Sequence, residues 1–337
     1  MKKYTIYGMG AALVDTEIQV QDAELTAMGV DKGLMTLVDE ARQAELLGLL
    51  QGHLVKASHA SGGSAGNSMI AAAQFGVPTY MTCKVADDAD GAIYVRDLEQ
   101  AGVAHNMARR PQGTTGKCLV LISPDAERSM NTFLGISETL SVHELDPSAL
   151  ADSEYLYIEG YLVTSDTGRA AAIRARELAE AAGVKTVLSF SDPGMVEFFR
   201  EGLQAMIGTQ VDLVFCNRDE ALCWGDTDDL NTAMERLKPI ARRFVVTCGA
   251  AGALAWDGVT LHDIPPHRVQ AVDSNGAGDM FAGAFLYAIG RGEDYATAGR
   301  FASLAAGRVV ANYGPRLPAA DYPALRAEVF GDGTSPR

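Results

Sequence analysis

The sequence predicts an α/β protein: a doubly wound, mostly parallel sheet with helices on both faces, and a small β-sheet outside that layer. Three observations carry this. Short β-type runs alternate with helical patterns through most of the 337 residues, the order that builds a parallel sheet covered on both sides. Two segments break the rhythm with β-type residues and no helical pattern inside them. The composition, 47% hydrophobic and 21% charged, is that of a globular chain, long enough to bury a substantial core.

Taken in order, Tyr4–Gly10 reads as a strand. Met1-Lys2-Lys3 before an apolar stretch has the outline of a signal peptide. Tyr4, Thr5 and Tyr7 interrupt that stretch, and Asp15-Thr16-Glu17 ends it, so a first strand fits better. Ala11–Val20 and Gly33–Val38 are β-type with no helix between them. Leu54–Ser58 is a strand. Ala65–Phe75 has helical composition and stops at Gly76-Val77-Pro78. Thr79–Val85 is a strand and Gly91–Ala101 a helix ended by Gly102. Lys117–Ser123 and Arg128–Phe133 are strands joined by the turn Pro124-Asp125-Ala126-Glu127. Then come Tyr155–Ile158, a helix over Asp166–Ala182, and the strands Thr186–Ser189 and Val211–Phe215. A helix from Asn217, the strand Phe244–Thr247 and two closing helices, Asp279–Ile289 and Asp294–Asn312, complete the pattern. We expect one domain over 1–330, with inserted small-sheet segments at about 11–38 and 104–135 and a loose tail at 331–337.

The formal net charge is −15. Such a surface repels nucleic acid and anionic membrane, and no apolar run is long enough to span a bilayer. The five cysteines form no C-x-x-C pair, which points to reduced core thiols and a cytoplasmic protein.

Asp273-Ser274-Asn275-Gly276-Ala277-Gly278-Asp279 carries the most chemistry. It follows an extended run, Val269–Val272, and opens a helical pattern. Glycines at 276 and 278 let backbone approach a ligand and adopt positive φ. The helix start leaves unpaired N–H groups facing the loop, a ready anion site. Asp279, in the first turn, can accept a proton from an attacking hydroxyl, or simply cap the helix. Gly113-Thr114-Thr115-Gly116-Lys117-Cys118 lacks the spacing and hydroxyl of a Walker A loop. Gly8-Met9-Gly10 leads into β-type sequence, unlike a dinucleotide fingerprint.

Asp273–Asp279 resembles the C-terminal signature of the ribokinase-like (PfkB) carbohydrate and nucleoside kinases. Ser61-Gly62-Gly63-Ser64-Ala65-Gly66-Asn67-Ser68 resembles their N-terminal signature. Asn217-Arg218-Asp219-Glu220 is similar to their N-x-x-E motif, and Thr247-Cys248-Gly249-Ala250-Ala251-Gly252 to their T-x-G-x-x-G nucleotide segment. These stand in the family's order and span most of the chain. The resemblance implies a doubly wound domain with a small β-sheet lid, ATP as donor and Mg2+, with a monovalent cation left open. It implies Asp279 as base and Asn275, Gly276, Ala277 and Gly278 as the anion hole. Asn217 and Glu220 would organise Mg2+ partly through water, and Thr247, Gly249 and Gly252 would line the nucleotide. Asn312, on the last helix, would flank its adenine. Each has a plainer reading: Asn217 and Glu220 as a capping box, Gly249 and Gly252 as hairpin glycines.

For the acceptor, the resemblance implies that Asp15, Gly62, Gly63 and Asn67 bind sugar hydroxyls. Arg128 would reach the reacting phosphate, or else sit solvated after its turn. Phe133 and Leu134 would cover a base, or pack the lid. Lys32–Glu40, Met130–Gly135 and Glu159-Gly160-Tyr161-Leu162 resemble the bacterial adenosine-kinase-like branch. The expectation is an ATP-dependent nucleoside kinase with adenosine favoured. The alternatives are a kinase of ribose, fructose or a related sugar, and a non-catalytic nucleoside- or sugar-binding relative. The sequence leaves monomer and homodimer open, because lid edges can pair between subunits or stay covered.

Overall fold

The computed structural model describes residues 2–50 and 60–331. Along these residues the chain forms β1 (Tyr4–Met9), β2 (Leu13–Gln19), β3 (Met35–Leu37), β4 (Ala60–Gly62), β5 (Thr79–Thr82), β6 (Ala104–His105), β7 (Gly116–Ile122) and β8 (Arg128–Phe133). There follow β9 (Ser153–Glu159), β10 (Lys185–Ser189), β11 (Val211–Asn217), β12 (Ala241–Thr247), β13 (Ala253–Trp256) and β14 (Leu261–Ile264).

Nine strands make one sheet in the order β14-β13-β12-β11-β10-β9-β1-β5-β6. From β12 to β6 every pairing is parallel; β13 and β14 add an antiparallel meander at one edge. Alternate residues feed two cores. Ile6, Tyr155, Tyr157, Val187 and Phe215 face helices Ser64–Phe75, Ala277–Gly290 and Tyr295–Val310. Tyr7, Leu156, Ile158, Leu188 and Val214 face the other side, where helix Asp166–Ala181 presents Ala171, Ala172, Ala175 and Ala179. Burial on both faces explains why these strands read as unbroken apolar runs. Among the described residues, no helix is long and apolar enough to cross a membrane.

The smaller sheet has the order β3-β8-β7-β2-β4. Its outer face carries Ile18, Leu119 and Leu121 under helices Asp22–Met28 and Glu40–Leu49. Its inner face carries Leu13, Cys118, Val120, Ile122 and Met130 and looks across at the carboxyl ends of the large-sheet strands. Between the two lies a cavity of about 560 Å³.

Four expectations need correction. Helix Asp22–Met28 lies between β2 and β3, where none was expected; it buries only Leu25 and Met28, too few to show a period. Ala104–His105 pairs with β5 in the large sheet, so the small-sheet segment starts at Gly116. Ala60–Gly62 forms an unforeseen edge of the smaller sheet, pairing with Leu13–Asp15. Helix Tyr322–Phe330 follows the two helices taken to close the chain. The expected strand Leu54–Ser58 and the tail from 332 onward lie outside the described residues.

Candidate active site

The loop before helix Ala277–Gly290 is pinned at its start. Asp273, fully buried, accepts from the N–H of Asn275 (2.8 Å) and of Gly314 (2.9 Å). Gly276 turns the chain with φ 71°. A Cβ there would lie 2.3 Å from the Pro315 carbonyl oxygen, so the turn admits glycine alone. Gly278 has no positive φ, contrary to expectation. An added Cβ would meet nothing within 4 Å, so Gly278 leaves open the space in front of the helix start. That helix has no side-chain cap; the Ala277 N–H donates to the Ser274 carbonyl oxygen (3.3 Å), and the N–H groups of Gly278 and Asp279 remain as donors at the helix start.

Asp279 sits two residues into the helix, half-buried at the cavity wall. Its Oδ1 accepts from Ser64 Oγ (2.6 Å) and its Oδ2 from Asn67 Nδ2 (2.9 Å). Burial pushes this carboxyl up; the hydrogen bonds from Ser64 and Asn67 and the charges of Arg128 and Arg316 pull against it. Arg128 crosses from β8 and donates from Nη1 to the Ser274 carbonyl oxygen (3.2 Å). Ser274 Oγ donates to the Ala126 carbonyl oxygen (3.1 Å), and Asn275 Nδ2 to Glu17 Oε1 (3.1 Å).

On the inner face of β2, Asp15 is 6% exposed, lines the cavity and has no hydrogen-bond partner among the described residues. Its carboxyl is pushed up to about 8, first by burial, then by the neighbouring Glu17. Gly62 is not on the wall. A Cβ on it would fall 2.1 Å from Asp15 Cγ, so Gly62 makes room for Asp15. Gly63 does line the cavity; its φ of 82° and a Cβ position 2.4 Å from the Ala11 carbonyl oxygen require glycine. Asn67 Oδ1 is buried with no partner.

At the end of β11, Asn217 and Glu220 form the capping box. Glu220 Oε2 accepts from the Asn217 N–H (2.9 Å), Glu220 Oε1 from Asn217 Nδ2 (2.8 Å), and Asn217 Oδ1 from the Glu220 N–H (2.8 Å). Glu220 is 4% exposed and pushed up to about 8, chiefly by burial. Among the described residues no three His, Cys, Asp or Glu side chains converge as a metal cage. A committed capping pair fits a magnesium ion carried by phosphates and reached through water, the usual manner of that ion.

Thr247 and Gly249 line the cavity at the end of β12; Ala277 and Gly252 do not. Gly252, with φ 94° and a Cβ position 2.1 Å from the Ile264 carbonyl oxygen, serves the turn into β13. Asn312 is exposed and lies beyond helix Tyr295–Val310, where its Nδ2 donates to the Arg308 carbonyl oxygen; it is neither on the last helix nor at the cavity. Phe133 is a second correction. Arg128, Met130, Thr132 and Leu134 line the cavity, so the alternation of β8 turns Phe133 to the opposite face.

Sequence reasoning gave no role to Glu159. It is 1% exposed at the end of β9. It accepts from the N–H of Ala11 (3.2 Å) and Ala65 (2.8 Å), fastening the end of β1 to the start of helix Ser64–Phe75. Burial, first of its causes, pushes Glu159 up to about 7. The acidic residue closing an apolar strand run was the available signal. Arg316, which donates to Ser61 Oγ (2.8 Å), had none.

The profile of the pfkB family of carbohydrate kinases matches residues 39–321. The adenosine kinase of Schizosaccharomyces pombe is 28% identical over 323 residues, 88% of this chain and 92% of that protein. The crystal structure of adenosine kinase from Sinorhizobium meliloti superposes with a TM-score of 0.91 at 33% identity, covering 97% of this chain and 99% of that one. That of a probable sugar kinase protein from Rhizobium etli CFN 42 gives 0.91 at 31% identity, covering 98% and 100%. A glycine turn at an uncapped helix start, with a carboxylate inside that helix, suits phosphoryl transfer to a hydroxyl, and the chain belongs to the PfkB family of carbohydrate kinases, phosphotransferases that act on hydroxyl groups.

Proposed function

We propose that the protein transfers the γ-phosphate of ATP to the 5′-hydroxyl of a nucleoside, with adenosine the preferred acceptor, through one kinase domain in which the smaller sheet serves as lid. The observation that carries this is the pairing of two side-chain groups left without a protein partner, the Asp15 carboxyl on the cavity wall and the buried Asn67 Oδ1. Buried acceptors of this kind are costly until donors reach them, and the vicinal hydroxyls of a ribose are such donors. Beside them, Leu13, Met35, Leu37, Met130 and Leu134 give the lid an apolar wall. A purine against that wall would lose roughly 100 Å² of exposed surface, on the order of a few kcal/mol. The two adenosine kinases compared above support the same choice.

In this reading Asp279 takes the proton from the attacking hydroxyl as its oxygen bonds to the γ-phosphorus and the bond to the ADP oxygen breaks. Asn275, Gly276 and the N–H group of Gly278 hold the charge that develops on the phosphoryl oxygens, with Arg128 facing them from the lid. Thr247 and Gly249 line the nucleotide. Mg2+ would neutralise phosphate charge, with Asn217 and Glu220 behind its waters.

The test is kcat/KM for adenosine, guanosine, inosine, cytidine, ribose and fructose with ATP and magnesium. A nucleoside should lead. A free sugar ahead of every nucleoside, the reading favoured by the Rhizobium etli relative, would overturn the nucleoside assignment. It would leave the kinase assignment standing.

A further inference from the structure

We propose that Ser64 is a positioning residue for phosphoryl transfer: its hydroxyl fixes one oxygen of the Asp279 carboxylate while Asn67 holds the other. This rests on the reading of Asp279 as the base.

Ser64 opens helix Ser64–Phe75, and Asp279 lies in the first turn of helix Ala277–Gly290. The two helices touch through small residues. A Cβ on Gly283 would lie 2.5 Å from the Ser68 carbonyl oxygen and 2.9 Å from Ala71 Cβ. That close approach brings the two helix starts together. Ser64 then reaches Oδ1 while Asn67, one turn on, reaches Oδ2. The carboxylate is gripped at both oxygens, its plane is set, and each oxygen keeps a lone pair. A misaimed carboxylate costs rate even where binding is intact.

Ser64, Tyr157 and Ser189 line the same cavity wall, and burial keeps the Tyr157 phenol protonated. The hydrogen bonds from Ser64 and Asn67 favour the ionised base. The charged and titratable groups around Asp279 are Asp15 and Glu159, whose negative charges oppose its ionisation, the neutral Tyr157 phenol, and Arg128 and Arg316, which favour ionisation.

The experiment is the pH dependence of kcat, with KM for ATP and for adenosine, in the full chain and its Ser64→Ala, Ser64→Thr, Ser64→Cys and Asp279→Asn variants. Losing one hydrogen bond to a charged group should lower kcat of Ser64→Ala roughly ten- to hundredfold. Its acid limb should move to higher pH, and both KM values should stay within about threefold of the parent, by the same argument from transition-state interactions. Ser64→Thr should recover most of the loss. Ser64→Cys, a weaker donor, should shift the acid limb the same way by less, and it stands in if Ser64→Ala does not fold. An unmoved acid limb, or a raised adenosine KM with kcat intact, overturns the positioning role while an inactive Asp279→Asn leaves the base reading in place. Near-normal turnover in Asp279→Asn overturns the base reading itself.

Discussion

Where β2 of the smaller sheet faces the start of helix Ser64–Phe75, Asp15 and Asn67 Oδ1 are buried without a protein partner, whereas on the β11 side Asn217 and Glu220 satisfy one another with three hydrogen bonds. One wall is incomplete until a polyhydroxyl ligand arrives. The other is complete by itself and meets phosphate mostly with backbone and, in our reading, with a hydrated ion. Discrimination between acceptors should therefore be concentrated in a few side chains around Asp15 and Asn67, and substitutions on the two sides should differ in kind as well as size.

The sharpest break would come where the walls meet. Asp279→Asn should keep the fold and ATP affinity and lose turnover by roughly two to four orders of magnitude, the range for a general base. Single-turnover assays with a saturating acceptor check this. Gly278→Val should come next, at about a hundredfold, because its side chain would fill the space before the helix start where a phosphate would sit. A Cβ at this position meets no atom within 4 Å, so the melting temperature should hardly move. Full activity with unchanged ATP saturation would place the phosphate elsewhere.

Asp15→Asn tests the incomplete wall. Losing charge-assisted bonds to an acceptor's hydroxyls should lower kcat/KM for the acceptor roughly ten- to hundredfold, with little change in KM for ATP. It should also stabilise the free protein at alkaline pH. The Asp15 carboxyl is raised from 3.8 to about 8 in the fold, so its contribution is full below about pH 4 and lost as pH rises through about 8. The variant's gain in melting temperature should thus be a few degrees at pH 8.5, by rough scaling, and shrink toward pH 5. A gain that does not vary with pH would remove the cause we assign. The smallest effect belongs to the complete wall: Glu220→Gln should raise the magnesium concentration at half activity by about threefold, an outer contact with a hydrated ion being weak. An unchanged requirement would leave Glu220 as a cap alone.

The parts legible in the sequence were those written locally. Strands β9 to β12 announced themselves as apolar runs because both their faces are buried, and the turn at Gly276 showed in its neighbouring glycine and aspartate. Asn217 and Glu220 were legible as a capping box from their spacing. What escaped depends on distant partners. Phe133 and Leu134 are adjacent in sequence, and only the register of β8 against β7, with Lys117 opposite Phe133, decides which of them meets the cavity. Gly62 was readable as a close approach, but the thing approached is Asp15, not a ligand. Glu159 and Arg316 act on residues about a hundred or more positions away, which no local pattern records.

Three hydrogen bonds fasten the lid to the phosphate loop: Arg128 to Ser274, Ser274 to Ala126, and Asn275 to Glu17. A ligand that moves β2 or β8 therefore moves the loop as well. In our reading acceptor and nucleotide are thereby thermodynamically linked, and such a linkage is reciprocal: whatever factor the acceptor adds to the affinity for ATP, ATP must add to the affinity for the acceptor. In our reading water, a far smaller occupant than a nucleoside, would draw the lid no closer, so hydrolysis of ATP without an acceptor should be disfavoured by the same three bonds that make the two sites answer to each other.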